Sequence, residues 1–482
     1  MLGQYEELDK KIEKYYAAQH EHPWRNQFHI EMPFGLVNDP NGLSYYNQKF
    51  HIFYQWNPFG CEHKNKHWAL VTTTDFIHYS KPKIVLKPKD WFDKDGCYSG
   101  SGFVKDDAIK LVYTGNVKDK NNNRESYQCT ATYHQDGSVT KDAILIKNQP
   151  EGYTAHFRDP FVFQINEMFY MILGVQTNNL QGRALLYQSK EFKDWTLVGE
   201  LKTSMPDFGY MWECPNLVKV SEGKYAFIFS PQGLEAEEVK YQNIYQSGYV
   251  IGQLDVTVPA LNHNEFKELD MGFDFYAPQV FTHDGRTLLI GWVGMPDKDH
   301  EYPTAKDGWL YALTMPRVLE YRDGVLYQRP VRELLGLRGE PALQVKPIVC
   351  DHYAVEVPNR SAEILLDLDL RQNDEVLITL ACEQEYMTLH YDKVRQIVTI
   401  DRNHMKLGGK GVRKFTLDVQ NELKLQLFID RSVIEIYYQD GLEVTTLMYF
   451  PKTEVMNFAI NSASAVRINE LKLWQLSAIQ YE

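Results

Sequence analysis

The sequence predicts an all-β protein of two β domains, and three observations lead to that prediction. Short apolar or alternating strands follow one another between about residues 30 and 330, with almost no helical periodicity among them. Two stretches of this region, "TTDFIHYSKPKIVL" and "SKEFKDWTLVGELK", resemble each other, which suggests radial repetition as in a propeller of four-stranded blades. Farther along come alternating strands joined by short turns, the pattern of an antiparallel sandwich.

The first elements are a short helix and then the long strand-rich region. Apolar residues recur at helical spacing near the N-terminus, which predicts an amphipathic helix within residues 1–26; they are Leu8, Ile12, Tyr15 and Tyr16. Residues 27–328 are assigned to the propeller. Its strands alternate as in "KFHIFYQW", where Phe50 and Ile52 face one side and His51 and Phe53 the other.

The second domain follows a short break in the strand pattern. The stretch "RPVRELLGLRGEP" begins a short helix at proline and ends on glycine and proline, so residues 329–344 are predicted to be a linker. Residues 345–482 are assigned to the β-sandwich. Within them, "FIDRSVIEIYY" is a hairpin with a structural role, either packing on the propeller or forming a dimer contact. A monomer and a homodimer both remain open.

Composition narrows the classes of function. The chain has 482 residues and a formal net charge of −13, which argues against nucleic acid and an anionic membrane as partners. No apolar run approaches the roughly 18–20 residues of a membrane span, and the N-terminus lacks a secretory signal pattern. The six cysteines form no C-x-x-C pair, so we expect no metal site, no cofactor, and reduced thiols in a cytoplasmic protein.

Three acidic residues stand apart from the solvated charges. Asp39 in "NDPNG" and Asp159 in "HFRDPF" occupy sequences that also suit tight turns. Arg158 precedes Asp159, and strand alternation places it on the opposite face. Glu213 in "YMWECPNL" has apolar neighbours, so either it is paired structurally or desolvation raises its pKa. Residue patterns alone leave structural and chemical roles open.

Paired carboxyl groups on either side of one bond are what glycoside hydrolysis requires. One carboxylate attacks the anomeric carbon while a carboxylic acid protonates the leaving oxygen, with the pair about 5 Å apart in retaining enzymes. The acid needs the raised pKa, which favours Glu213 for that role. A third carboxylate can stabilise the cationic transition state without covalent work.

Seven motifs together resemble glycoside hydrolase family 32, the invertase-like family: "NDPNG", "FYQWNP", "HW", "YSGSG", "HFRDP", "WECPN" and "FYAPQ". They follow the family's order, and the resemblance extends from about residue 25 to the C-terminus. It implies a five-bladed β-propeller followed by a β-sandwich. It also implies that Asp39 is the nucleophile, Asp159 the transition-state stabiliser and Glu213 the acid/base.

The same resemblance implies a set of fructose-pocket residues: Asn38, Gln55, Trp68, Tyr98, Ser99, Arg158, Tyr276 and Trp292. Two departures concern specificity more than chemistry. Leu36 stands where the family often has tryptophan, and Ala69-Leu70-Val71 replaces the Gly-His-Ala that follows "HW" in many members.

Within the family, the chain most resembles the branch that hydrolyses sucrose 6-phosphate to glucose 6-phosphate and fructose. A basic cluster in "CEHKNKHW" supplies candidate phosphate contacts, unless it is an ordinary solvated loop: His63, Lys64, Lys66 and His67. Three alternatives remain: an intracellular β-fructosidase acting on sucrose or short fructo-oligosaccharides, a fructosyl transferase, and a non-catalytic sugar-binding propeller.

Overall fold

The computed structural model describes residues 2–18 and 22–482, and most of this chain is antiparallel β-sheet. The predicted N-terminal helix is α1, Leu2–Ala17, whose Leu8 and Ile12 are buried in the core of the first sheet. Of the predicted segment 1–26, residues 1 and 19–21 lie outside the described ranges. In the described part of the chain, no helix is both long and apolar enough to cross a membrane.

Strands before residue 331 have the following bounds: β1 Gly35–Tyr46, β2 Lys49–Asn57, β3 His67–Thr73, β4 His78–Tyr79, β5 Lys83–Leu86, β6 Cys97–Lys105, β7 Ala108–Lys118, β8 Arg124–Tyr133, β9 Val139–Ile146, β10 Tyr153–Ile165, β11 Met168–Thr177, β12 Gly182–Ser189, β13 Thr196–Glu200, β14 Met211–Ser221, β15 Lys224–Gln232, β16 Gly248–Asp255, β17 Ala260–His263, β18 Lys267–Glu268, β19 Tyr276–His283, β20 Arg286–Val293, β21 Trp309–Leu310, β22 Ala312–Leu313, β23 Arg317–Arg322 and β24 Val325–Pro330.

Later strands have these bounds: β25 Leu343–Val345, β26 Ile348–Val357, β27 Ala362–Asp369, β28 Glu375–Cys382, β29 Glu385–Asp392, β30 Ile397–Asp401, β31 Val412–Thr416, β32 Glu422–Ile429, β33 Val433–Tyr438, β34 Glu443–Met448, β35 Met456–Gln475 and β36 Gln480–Tyr481. Short 3-10 helices lie between strands at Asp299–Glu301, Pro303–Asp307, Arg332–Leu337, Pro358–Arg360 and Gln439–Gly441.

The strands before residue 331 form a propeller-like arrangement. Four sheets run in the orders β6-β7-β8-β9, β10-β11-β12-β13, β14-β15-β16-β17 and β19-β20-β23-β24. A larger sheet has the order β21-β1-β2-β3-β4-β36, so strands from later in the chain complete it. The first strands β1, β6, β10, β14 and β19 contact one another in sequence, and β19 contacts β1. The sheets therefore surround a common axis.

Each of these five axial strands is interrupted by a register shift near the same level. The shifts follow Val37, Tyr98, Arg158, Glu213 and Tyr276. Proline stands within or at the end of four of them, where it need not donate a ladder hydrogen bond. The other has Gly100, where a Cβ would lie 1.9 Å from the carbonyl oxygen of Val112. The bulges turn consecutive side chains toward the axis.

The C-terminal sheet is sandwich-like. Its strand order is β31-β30-β29-β28-β35-β27-β32-β33-β34, with β25 and β26 also paired to β35. The 20-residue β35 pairs with β28 through its first half and with β27 through its second, so the two halves of the sheet share it. Apolar side chains from both halves form one buried core, among them Ile378 and Leu366.

A buried charge network joins the C-terminal sheet to the propeller-like region. Arg317 of β23 donates to Glu435 of β33 through Nη2 at 2.6 Å and lies 3.2 Å from Asp270. His29 lies between Asp430, at 2.8 Å, and Glu435, at 3.0 Å. Burial opposes a charged imidazole, but these two carboxylates outweigh it and raise the pKa of His29 to about 9. The predicted hairpin therefore packs on the propeller-like region.

This network generates a stability prediction. Arg317→Met should destabilise the folded protein by about 3–5 kcal/mol, because it leaves Asp270 and Glu435 buried without their cation. Denaturant unfolding followed by tryptophan fluorescence measures the change.

Arg322→Met is the matched control on the same strand. Arg322 pairs with Glu320 at the surface, so its removal should leave the unfolding midpoint almost unchanged. Equal shifts in the two variants would contradict a special contribution from the buried network.

Candidate active site

The three carboxylates singled out in the sequence converge at the axis although they belong to three different sheets. Asp39 lies on β1, Asp159 on β10 and Glu213 on β14. The thiol sulfur of Cys214 is 3.8 Å from Oδ2 of Asp39 and 3.8 Å from Oδ2 of Asp159. Arg158 spans the other side, with its guanidinium 4.0 Å from Asp159 and 2.6 Å from Glu213. The arrangement is one compact acidic site.

Both carboxylate oxygens of Asp39 accept a hydrogen bond. Ser99 Oγ donates to Oδ2 at 2.5 Å, and Asn38 Nδ2 donates to Oδ1 at 2.9 Å. The same amide group of Asn38 donates to Gln55 at 2.5 Å, while its oxygen accepts from Lys66. Because Lys66 occupies the amide oxygen, the Asn38 NH₂ group is directed toward Asp39 and Gln55.

Asp159 is held by its own backbone distortion. Its φ is +64°, and its N–H donates to Thr114 Oγ1 at 3.0 Å, while Cys214 N–H donates to its Oδ2 at 3.0 Å. Burial raises the pKa of Asp159 to about 7, against the lowering effect of Arg158 and with a further increase from Glu213. The bulge also corrects one expectation: Arg158 and Asp159 face the same site, not opposite faces.

Glu213 is surrounded by donors. Arg158 donates to its Oε1 through Nε at 3.1 Å and Nη2 at 2.6 Å, and Tyr276 and Gln232 donate to its Oε2 at 2.6 and 2.8 Å. Burial favours the neutral acid, but Arg158 and Tyr276 outweigh it and lower the pKa of Glu213. The sequence-based expectation of a raised pKa is therefore wrong, because hydrogen-bond donors from Arg158 and Tyr276 outweigh the burial of the carboxyl group.

The predicted aromatic residues form the walls and support of this site. Trp68 is fully buried, and its indole N–H donates to the carbonyl of Tyr98 at 3.1 Å, fixing the half-buried Tyr98. Trp292 is also buried, with its ring 6.3 Å from Tyr276 and 5.5 Å from His63. Thus Trp68 supports the site from behind, whereas Tyr276 reaches Glu213 directly.

Members of the predicted basic cluster have separate environments. Lys66 is enclosed beside Asn38, and burial lowers its pKa to about 7 despite the nearby carboxylates. His67 is buried and contacts the hydroxyl of Tyr5 at 3.0 Å. His63 lies 3.3 Å from Asp299 and 3.0 Å from the Lys66 amine. Lys64 is exposed.

Sequence reasoning missed several residues that shape the site. Cys214 directly follows Glu213 in "WECPN", so its proximity could have been read from the same bulge. Gln232 ends β15 opposite Met211, a pairing that no local pattern reveals. Asp299 approaches from a 3-10 helix far along the chain and accepts from Tyr311. These contacts depend on how sheets meet.

A propeller-like ring of sheets with three acidic side chains converging on its axis defines a class of protein, the propeller-type glycoside hydrolases. Comparison with family models agrees. Residues 29–330 match the glycosyl hydrolases family 32 N-terminal domain, and residues 336–475 match the family 32 C-terminal domain. The chain therefore belongs to glycoside hydrolase family 32, and it is an enzyme of that type.

Individual relatives are similar over nearly their full length. A sucrose-6-phosphate hydrolase from Bacillus subtilis is 40% identical over 93% of this chain and 92% of its own. One from Staphylococcus xylosus is 37% identical over 92% and 91%. The solved sucrose-6-phosphate hydrolase from Lactobacillus gasseri superposes with a TM-score of 0.89 at 31% identity, covering 98% of this chain and 97% of that one.

Proposed function

We propose that this protein is a retaining β-fructofuranosidase that hydrolyses sucrose 6-phosphate to glucose 6-phosphate and fructose. The observation that carries the proposal is the convergence of Asp39, Asp159 and Glu213 around Cys214 and Arg158. The names and high coverage of the sucrose-6-phosphate hydrolases from Bacillus subtilis and Staphylococcus xylosus support the substrate. The fructosyl unit would lie over Asp39, with the leaving glucosyl unit beyond Glu213.

In the proposed mechanism Asp39 attacks the anomeric carbon of fructose while Glu213 protonates the departing glycosidic oxygen. Asp39 is aimed by Ser99 and Asn38, one donor on each oxygen. A covalent fructosyl ester forms, and Glu213, now a base, takes a proton from the water that releases fructose. Asp159 stabilises the positive charge that develops on the sugar ring.

To act as the general acid, Glu213 needs a proton, and before substrate binds that proton resides on Asp159. With the pKa of Asp159 at about 7 and that of Glu213 lowered, the pair retains one proton up to about neutral pH, on Asp159. We propose that sugar hydroxyl groups donate to Asp159 when substrate binds. They replace its proton, which then becomes available to Glu213.

The proposal also covers the number of blades, the domain boundaries, the cellular location and the oligomeric state. The larger sheet containing β1 would be the fifth blade of a five-bladed propeller, supported by the ring of contacts among the axial strands. The proposed divisions are a helical segment at 1–26, a catalytic propeller at 27–328, a linker at 329–344 and a β-sandwich at 345–482. The change between the two family models after residue 330 supports the linker. We further propose that the protein is cytoplasmic and is a monomer or a homodimer.

The main rival is a β-fructosidase that acts on unphosphorylated sucrose or short fructo-oligosaccharides. A solved family 32 β-fructofuranosidase from Bombyx mori in complex with sucrose, 29% identical with a TM-score of 0.87, covers 99% of this chain. Fructosyl transfer would use the same carboxylates. A propeller that only bound sugar, without catalysis, would not need three hydrogen-bonded carboxylates at its axis.

Specificity constants separate the rivals. We expect kcat/KM for sucrose 6-phosphate to exceed that for sucrose at least about tenfold, because a bound phosphate adds charge-assisted hydrogen bonds. Release of glucose 6-phosphate from sucrose 6-phosphate, or of glucose from sucrose, measures total turnover, and chromatography of all products separates hydrolysis from transfer. Equal or reversed constants would identify the β-fructosidase, and fructosylated sugars as main products would identify the transferase.

Asp39→Asn tests the nucleophile. The amide cannot form the fructosyl ester, so kcat should fall roughly 10⁴-fold or more while the fold is retained. Initial rates with sucrose 6-phosphate and the thermal unfolding midpoint measure the two effects. Asp106→Asn, at an exposed turn of the same region, is the control and should keep full activity. Residual turnover of Asp39→Asn above a few per cent would refute the assignment.

The shared proton predicts a basic limit to activity. Because the protonated pair is the active form, kcat/KM should fall about tenfold per pH unit above about pH 7. Sucrose is the suitable substrate, since it has no titrating phosphate. In Glu213→Gln, whose amide has no such proton, the residual activity should lose this limb. A wild-type profile that stays flat to pH 9 would exclude the shared proton.

A further inference from the structure

Arg124 is a cation at the edge of the site that forms no ion pair with a carboxylate of the described chain. It is the first residue of β8, and its guanidinium lies over the ring of Tyr98, with Cζ 5.4 Å from the ring centroid. Among the described residues, no hydrogen bond or ion pair reaches this guanidinium. Arg158 next to the site is different, because Glu213 accepts two of its N–H groups.

The surroundings of Arg124 increase the need for an anion. Lys118 stands directly opposite it in the β7–β8 ladder, so the two basic side chains share one face of the sheet. Burial and then the charge of Arg158 lower the pKa of Arg124, which reports an uncompensated cation. His156 is kept neutral by the same surroundings, since burial and the two arginines lower its pKa to about 4. Arg158 and Arg124 are therefore two cations on this side of the site, and Glu213 is paired with Arg158.

The direction in which the glucosyl unit leaves the site indicates which anion Arg124 would meet. In the proposed mechanism Glu213 protonates the glycosidic oxygen between the fructosyl and glucosyl units. The glucosyl unit therefore leaves on the side where Glu213 and Arg158 lie. The strand β8, which begins at Arg124, contacts β10, the strand that carries Arg158 and Asp159, so Arg124 lies on that side of the site. An arginine guanidinium offers a planar pair of donors that matches phosphate oxygens.

We propose that Arg124 binds the 6-phosphate of the leaving glucosyl unit, an inference that rests on the proposed function. Tyr98 contacts the guanidinium through its ring, and no carboxylate of the described chain is bonded to the guanidinium N–H groups that would donate to two phosphate oxygens. The basic cluster predicted from the sequence is less suitable. Lys66 is bonded to Asn38, His63 faces Asp299, and His67 contacts Tyr5, so only Lys64 among those four is exposed and without such a contact in the described chain.

The test compares two substrates in five proteins: wild type, Arg124→Ala, Arg124→Lys, Lys120→Ala and Lys64→Ala. Arg124→Ala should lower kcat/KM for sucrose 6-phosphate roughly 10- to 100-fold and leave that for sucrose within about threefold. Arg124→Lys keeps the charge but loses the planar fork, so its loss should be intermediate. Lys120→Ala removes an exposed charge from the same β7–β8 hairpin and should change neither constant.

Binding provides a readout that is independent of turnover. Glucose 6-phosphate should raise the thermal unfolding midpoint of the wild type and of Lys120→Ala but not of Arg124→Ala, whereas glucose should have no comparable effect on any of them. Without ligand, the unfolding midpoint of Arg124→Ala should stay within a few degrees of the wild type, because the guanidinium gives up its contact with the Tyr98 ring but no ion pair to any described residue.

The outcomes separate the two levels of the argument. A wild type without preference for sucrose 6-phosphate would refute the proposed function itself. A wild type with that preference, combined with equal losses on both substrates in Arg124→Ala, would show that Arg124 acts through Arg158 and not on the phosphate. If Lys64→Ala lost the preference for sucrose 6-phosphate while Arg124→Ala kept it, the phosphate would be bound by the basic cluster predicted from the sequence and not by Arg124.

Discussion

The site depends on one backbone constraint, the interruption of every axial strand at the same level. A regular strand would alternate its side chains, so neighbouring residues such as Arg158 and Asp159 would face apart. The bulges break that alternation, and the prolines in four of them cannot restore the ladder because they have no N–H group. The positive φ of Asp159 and Cys214 is part of the same distortion. Acidic groups from distant strands thereby reach one small volume.

Once the carboxylates are gathered, the cations around them decide which one holds a proton. Arg158 and Tyr276 stabilise the charged form of Glu213, while Asp159, with less compensation, takes the proton. Lys66 affects Asp39 indirectly, because it fixes the amide of Asn38 that donates to Asp39. Sugar hydroxyl groups that donate to Asp159 would therefore shift the proton toward Glu213.

The C-terminal sheet contributes to this geometry through its interface. Arg317, His29 and Glu435 form a buried network whose desolvation cost is offset by several charge-assisted hydrogen bonds. A second contact joins Arg402 to Asp274 at 2.7 Å, just before the axial strand β19 that contains Tyr276. The interface thus fixes segments that precede or flank the site, which gives the sandwich-like sheet a structural role although it adds no carboxylate to the axis.

Local sequence determined many of the strands and the hairpin at residues 428–438, because alternation and turn residues act over a few residues, whereas the roles expected for Asp39, Asp159 and Glu213 came from motifs that resemble the family's. It could not determine the pKa order of Asp159 and Glu213, since that order depends on which sheet supplies each donor. Apolar neighbours of Glu213 in the chain suggested desolvation, but Arg158 and Tyr276, on two other sheets, reverse its effect. Likewise, Lys66 and Arg124 are both basic residues in polar stretches, and only tertiary packing encloses the first and leaves the guanidinium of the second without an ion pair to any described residue.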